Sequence, residues 1–373
     1  MIYLDNAATS MPKPGAVIHA MARAAERLAS PGRGSSMASS SAEQLLYDLR
    51  LEASGQFGCG PEQVVLTTSA THGLNIAIKS LVKPGQRAVI SCMEHNAVAR
   101  PLHALGAETA IAQSALFDGE ALLAEFDRLL TPDTAACIMT HVSNVFGWIL
   151  PVEQVAALCC RRGIPFVLDA SQSAGVLPVS MAALGAAFVA MPGHKGLLGP
   201  QGTGLLLCGH EVKPLLEGGT GSISRQLEMP EFLPDRLEAG THNMPGAAGL
   251  LEGLRYIRRS GLNAIFSREQ RLRDLLVSEL EARPAVQVFH GVRQSGVVSF
   301  VVPERDSVLL AQCLADMGFA LRAGLHCAPL AHETAGTLET GTVRVSVGPE
   351  NQEGDIVGLL DALDHCLQDG KTL

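Results

Sequence analysis

Residues 186–208 read Ala186-Ala-Phe-Val-Ala-Met191-Pro-Gly-His194-Lys195-Gly-Leu-Leu-Gly-Pro-Gln-Gly-Thr-Gly204-Leu-Leu-Leu-Cys208. Two apolar, strand-like runs, 186–191 and 202–208, enclose a lysine in a segment with five glycines. Lys195 therefore stands just past a buried strand, in neither a helical nor a strand pattern. The phosphate-loop pattern G-x-x-x-x-G-K-[S/T] is absent. Two readings stay open: a surface loop carrying a solvated lysine, or a lysine held where an aldehyde cofactor forms a Schiff base. The second requires an acid to pair with a pyridinium nitrogen, because a protonated ring is the better electron sink. Asp169 ends the apolar run of Ile164-Pro-Phe-Val-Leu-Asp169-Ala-Ser-Gln172, at the carboxyl end of a strand, where open α/β sheets place ligands. A helix-capping acid is the alternative. The pairing of Asp169 with Lys195 across one further strand favours the cofactor.

Outward from this stretch, strand-like runs at 63–68, 87–92 and 135–143 alternate with helix-period stretches at 71–81, 96–105, 118–130 and 152–162. Helices are predicted upstream at 16–30 and 39–57, the second opening on a capping box, Ser40-x-x-Glu43. Strand–helix alternation with both strand faces apolar predicts an α/β fold with a large, doubly wound, mainly parallel sheet. Residues 209–245, rich in Gly, Pro and Glu, read as a long functional connection. Helices at 246–260 and 263–283, strands at 286–291 and 296–303, a helix at 306–317, a strand at 341–347 and a helix at 352–368 complete a smaller C-terminal α/β unit. The expected division is a large domain, 15–245, and a small domain, 1–14 plus 246–373.

The length of 373 residues suits about two domains of roughly 150 residues. With 28 Lys+Arg against 37 Asp+Glu, the net charge of −9 argues against a nucleic-acid partner, whose footprint is a basic patch. No run of about 18 apolar residues predicts a membrane span. The opening Met-Ile-Tyr-Leu-Asp-Asn lacks the basic and apolar regions of an export signal, so a cytoplasmic protein is expected. Nine scattered cysteines show no zinc spacing. They predict buried thiols with neither a metal site nor a disulfide framework.

The tags Tyr3-Leu-Asp-Asn-Ala-Ala-Thr9, Met93-Glu-His95, His141-Val-Ser-Asn144, Leu168-Asp169-Ala-Ser-Gln172, Gly193-His194-Lys195, Glu238-Ala-Gly-Thr241 and Arg322-Ala-Gly-Leu-His326-Cys327-Ala-Pro329 resemble the class V aminotransferase group nearly end to end. Within it they are most similar to cysteine desulfurases and selenocysteine lyases. The resemblance implies the PLP-dependent transferase fold type I and pyridoxal 5′-phosphate (PLP) as cofactor. It implies that Lys195 holds the cofactor and then moves the Cα proton, that Asp169 pairs with the ring nitrogen, and that His95 stacks on the ring and assists proton transfer. Gln172 and Asn144 are implied near the ring hydroxyl or the substrate. Thr67–Gly73, between a strand and a helix, suits a phosphate at a helix start as well as plain capping. Ala70 and Thr71 are the expected phosphate ligands there, with His194 as a further donor. The Thr241 position reaches the phosphate of a neighbouring subunit in the family, which implies a homodimer with shared sites. Two departures stand out: Pro192 where many desulfurases have Ser, and Ser69-Ala-Thr-His72 where they carry a Gly-Thr-Thr-Glu-like run.

Cys327 matches the R-x-G-x-H-C-A motif of the second desulfurase group, in which the cysteine sits on a short ordered loop. Moving sulfur needs such a thiol and transamination does not. Arg322 or a protonated His326 is expected to lower its pKa. Arg344, on a strand between Val343 and Val345, suits a substrate α-carboxylate, with a structural salt bridge as the alternative. Arg322 and Asn144 join it as expected substrate ligands, and no role is assigned to His332 or Glu333. The implied reaction converts L-cysteine to L-alanine, leaving sulfur on Cys327 for a possible acceptor protein. The alternatives are L-selenocysteine lysis or another PLP-dependent lyase or aminotransferase reaction on a small amino acid. A non-catalytic binding protein of the same fold is disfavoured by intact Lys195, Asp169 and His95.

Overall fold

β-Branched and other apolar runs, buried on both faces, form the central strands of this computed structural model, which describes residues 1–32 and 35–368. The strands are β1 (Ile2–Tyr3), β2 (Val64–Thr67), β3 (Arg87–Ser91), β4 (Glu108–Ala112), β5 (Thr134–Thr140), β6 (Phe166–Asp169), β7 (Phe188–Pro192), β8 (Gly204–Cys208), β9 (Gln287–Phe289), β10 (Val297–Val301), β11 (Phe319–Ala320), β12 (Arg322–Gly324) and β13 (Thr342–Ser346). Seven of them form one sheet in the order β2-β8-β7-β6-β5-β3-β4. Every pair is parallel except those made by β8, which runs against β7 and β2. The expected α/β architecture, with a large, mainly parallel sheet, is the one found. A smaller antiparallel sheet has the order β12-β13-β10-β9, and β1 pairs with β11.

The register aligns one edge of the large sheet. Thr67 faces Gly204, which faces Pro192; Asp169 lies between Thr140 and Ala190. The carboxyl ends of β2, β7, β6 and β5 thus open on the same side, where loops carry ligand-binding groups. The N-terminal segment crosses to the smaller sheet: Asp5 bridges to Ser346, and the Ala7 N–H donates to the Ser346 hydroxyl at 2.9 Å.

Several local expectations need correction. The helix Met37–Phe57 is capped by Ser36, whose side chain accepts the Ser39 N–H, so Ser40 lies inside the helix and opens no capping box. β4, one of the two edge strands, lacked an apolar run because it is solvent-exposed along most of its length and buried only at its last residue. Cys313, on Ser307–Asp316, and Cys366, on Glu353–Gln368, form a disulfide, against the expectation of free thiols. The two helices pack together, a proximity that a sequence separation of 53 does not signal. The helix Met244–Ser260, read with the smaller unit, buries Ala247, Leu250, Leu254 and Ile257 in the core of the large sheet. Residues 369–373, included in the expected small domain, lie outside the described residues. Among those described, no helix is long and apolar enough to cross a membrane.

Candidate active site

Short loops at the aligned sheet edge bring the chemistry together. Lys195 follows β7 by three residues, and Asp169 is the last residue of β6, only 3% exposed. Oδ1 of Asp169 accepts the Ser171 N–H at 2.9 Å, which leaves Oδ2 without a hydrogen bond. Burial pushes the Lys195 ammonium down to about 8, while the Asp169 carboxylate pulls the other way. A lysine so placed loses its proton far more readily than a solvated one.

His95 caps the helix Asn96–Ala104, its Nδ1 accepting the Ala97 N–H at 2.9 Å. Burial, then the Lys195 charge, pushes its pKa down to about 4. The imidazole is therefore neutral at pH 7 and carries its proton on Nε2. Glu94, fully buried beside it, accepts from the Ser91 hydroxyl at 2.5 Å and from the Thr140 N–H at 2.8 Å. That carboxyl ties the end of β3 to the end of β5 and so sets where His95 begins its helix.

The helix Ala70–Leu81 starts where β2 ends. Ser69 caps it: the hydroxyl accepts the His72 N–H at 3.2 Å and the carbonyl accepts the Gly73 N–H. The amides of Ala70 and Thr71 stay open, so a helix start with unpaired donors faces outward as an anion site. Gln172 and Lys195 line one small cavity, with the Gln172 amide donating to the Ala7 carbonyl. His194 is neutral, pushed down to about 4 by burial and by Lys195, and its Nδ1 is buried without a partner. Thr241 is exposed, on a separate cavity shared with Thr68 and His72 of the same chain.

Arg344 is 2% exposed. Its Nη2 donates to Asp5 Oδ1 at 2.5 Å and its Nη1 to the Asn144 carbonyl at 2.9 Å, while Nε is buried without a partner. The arginine is thus ion-paired yet still holds a buried donor for an anion, a group expensive to leave unpaired. Arg322 is half-exposed, with Nε 3.3 Å from Asp5 Oδ2.

Cys327 is exposed on a tight turn closed by the Ala328 N–H on the Leu325 carbonyl at 2.9 Å. Both central residues have positive φ, 49° at His326 and 58° at Cys327, the mirror-image geometry usually left to Gly or Asn. For L-residues this region costs roughly 1–2 kcal/mol each. The strain is held by two clamps: the Asn144 amide donates to the His326 carbonyl at 2.7 Å, and the Asn96 N–H to the Cys327 carbonyl at 2.8 Å. His326 itself, pushed down to about 2 by burial and then by Arg344, is neutral. The expectation that a protonated His326 activates the thiol is corrected; a buried imidazole beside two guanidiniums does not take up a charge.

Lys195, Asp169, His95, Asn144, Arg344 and the Cys327 turn thus form one connected cluster. Ala70 and Thr71 lie at the same sheet edge, whereas Thr241 faces solvent. Sequence reading assigned no role to Asp5, Glu94 or Asn96. Asp5 carried a signal in retrospect, as an acid closing the apolar Ile2-Tyr-Leu4, but its guanidinium partners lie more than 300 residues away. The donor set fits PLP: a buried lysine held toward neutrality, an acid with a free oxygen, a neutral imidazole, and open amides at a helix start.

Comparison with known proteins agrees with this chemistry. The family model described as aminotransferase class-V matches residues 2–359. A probable cysteine desulfurase of Mycolicibacterium paratuberculosis is 31% identical over 400 residues, covering 100% of this chain and 56% of the relative. Probable cysteine desulfurase 1 of Mycobacterium leprae is 33% identical over 400 residues, covering 100% and 63%. The chain therefore spans about three fifths of the length of these two relatives. The apo structure of a cysteine desulfurase from Thermococcus onnurineus NA1 superposes with a TM-score of 0.89 at 31% identity, covering 98% of this chain and 94% of that one.

Proposed function

This chain belongs to the class-V aminotransferase family, which is PLP-dependent and of fold type I, and from that premise we propose that it is a cysteine desulfurase. The proposed reaction takes L-cysteine to L-alanine and transfers the sulfur to Cys327. The single observation that carries this reading is the Cys327 thiol, exposed on a strained turn clamped beside His95 and Arg344.

When bound, PLP supplies an electron sink that weakens the bonds at the substrate Cα and Cβ. The protein's residues supply the rest. Lys195 holds the cofactor and then, freed and near neutral, takes and returns the Cα proton. Asp169 keeps a proton on the ring nitrogen through its free Oδ2. Neutral His95 covers the ring and offers its Nε2 proton. The amides of Ala70 and Thr71, with His194, take the phosphate; Gln172 keeps an open Oε1 for the ring hydroxyl or substrate. Arg344 grips the α-carboxylate through its unpaired Nε, with Asn144 and Arg322 at its sides. The Cys327 thiolate attacks the substrate sulfur: an S–S bond forms, the Cβ–S bond breaks, and its electron pair takes up a proton to give the methyl group of alanine. The product on the protein is a Cys327 persulfide.

A homodimer in which Thr241 serves the neighbouring site, a sulfur-acceptor protein, and residence in the cytoplasm belong to the same proposal. So does the division into domains 15–245 and 1–14 with 246–373, in which the helix Met244–Ser260 of the second domain packs on the core of the first. The test incubates PLP-loaded protein with L-cysteine and a reductant, with alanine and sulfide measured together beside Cys327→Ser. Equimolar alanine and sulfide, falling at least 100-fold in the variant, are expected. Pyruvate and ammonia with sulfide would mean β-elimination, and turnover of L-selenocysteine that survives Cys327→Ser would mean a lyase.

A further inference from the structure

We propose that Lys13 is a positioning residue for the cofactor lysine, its ammonium clamping the His194 carbonyl that immediately precedes Lys195. The inference rests on the reading of Lys195 as the cofactor lysine, and on no choice among the reactions that follow.

The His194 carbonyl gathers donors from one short N-terminal stretch. Lys13 Nζ donates to it at 2.8 Å, the Ser10 N–H at 2.9 Å, the Thr9 hydroxyl at 3.1 Å and the Ser10 hydroxyl at 3.2 Å. A carbonyl oxygen has two lone pairs, so the two shorter bonds dominate and the longer ones share what is left. Lys13 Nζ also donates to Ser10 Oγ at 2.6 Å, which fixes the ammonium against the same group. Of these donors Lys13 alone carries a charge, and a charge-assisted hydrogen bond is roughly twice as strong as a neutral one.

Lys13 is half-buried, yet among the described residues no carboxylate pairs with it. Burial pushes its pKa down to about 8, so the amine is mostly charged at pH 7. Withdrawing an ammonium from water without an acid beside it is unfavourable, and the group it engages instead is one peptide bond from Lys195. The loop is fixed from its other side by the Gly193 N–H on the Thr203 carbonyl and the Gly199 N–H on the Gly193 carbonyl, both at 2.8 Å. Those bonds hold Gly193; Lys13, Ser10 and Thr9 hold the carbonyl of the next residue. Lys13 therefore sets the plane of the His194–Lys195 peptide, and with it the direction in which the Lys195 side chain leaves the loop. A reacting group misplaced by about 1 Å loses on the order of 100-fold in rate.

The experiment follows cofactor exchange and needs no turnover. PLP-loaded protein is mixed at pH 7 with excess isotope-labelled PLP, samples are trapped with borohydride, and peptide mass mapping gives the label on each lysine over time. Whenever the link to the cofactor opens, a well-placed Lys195 recaptures it before it leaves, whereas a displaced one lets it escape. Lys13→Met is expected to exchange at least tenfold faster than wild type and to lose part of the circular dichroism of the cofactor band. Lys13→Arg, which restores a charged donor, should stay within threefold of wild type. If Lys13→Met does not fold, Lys13→Gln, which keeps a donor and drops the charge, is read in its place, with exchange at least threefold faster. A lowered Tm with unchanged exchange means that Lys13 only stabilises the fold, and overturns the proposal; so does an Arg variant that exchanges as fast as the neutral one. Faster PLP release on adding Lys13→Met to Lys195→Ala would also overturn it, because Lys13 would then act on the cofactor directly. A cofactor trapped on a lysine other than 195 removes the premise itself, so the two failures are told apart, and the alanine and sulfide assay decides the reaction separately.

Discussion

Asp5 holds two guanidiniums, Arg344 on Oδ1 at 2.5 Å and Arg322 near Oδ2 at 3.3 Å. Removing one partner of a buried ion pair strands the other charge and costs about 3–5 kcal/mol. Asp5→Ala is expected to lose stability on that scale in urea or guanidinium unfolding. It also removes one of the charges that hold the Lys195 pKa up, so the alkaline shift of the cofactor absorbance should move to lower pH. Legibility at this scale divided by distance along the chain. Lys195, Asp169 and Cys327 were readable because each sits in a short local pattern. The neutrality of His326 was not, since burial under Thr342 and the field of Arg344 come from residues far off in sequence.

Helix starts decide where anions can sit. Ser69 caps the helix Ala70–Leu81 through the His72 N–H and thereby aims the open amides of Ala70 and Thr71. Ser69→Ala is expected to cost about 1 kcal/mol of stability. It should also raise the apparent Kd for PLP, a change that equilibrium dialysis measures beside a denaturant titration. The strands of the large sheet were legible as apolar runs because burial on both faces leaves little choice of residue. β4 escaped because it is exposed along most of its length and so is not constrained in that way. Ser36 was overlooked as a cap because Ser35, Ser36, Ser39, Ser40 and Ser41 all offer the same hydroxyl, and only the backbone direction selects among them.

Across the whole molecule, Glu269 records how tightly the two sheet systems close on each other. It is 6% exposed on the helix Leu262–Glu281 and lines the cavity that holds Lys195, Asn6 and Ser346. Burial pushes its carboxyl up to about 8. The folded protein keeps that proton while the unfolded chain releases it near 4.5, so this group's contribution is fully present below pH 4.5 and fades as pH rises to about 8. Glu269→Gln should therefore match wild type in Tm near pH 4.5 and gain on it steadily up to pH 8, as calorimetry across that range would record. The amino-acid sequence by itself determined the α/β class, the order of its main elements, the cofactor-lysine loop and the thiol motif. Each of these is written in local periodicity or in a few adjacent residues. Tertiary structure alone decided that Asp5 bridges two arginines, that Asn144 clamps the thiol turn, that Cys313 meets Cys366, and that Glu269 is sealed against water. Those facts depend on distances closed by folding, and on how far burial removes water from a charge, neither of which is encoded in any short stretch of chain.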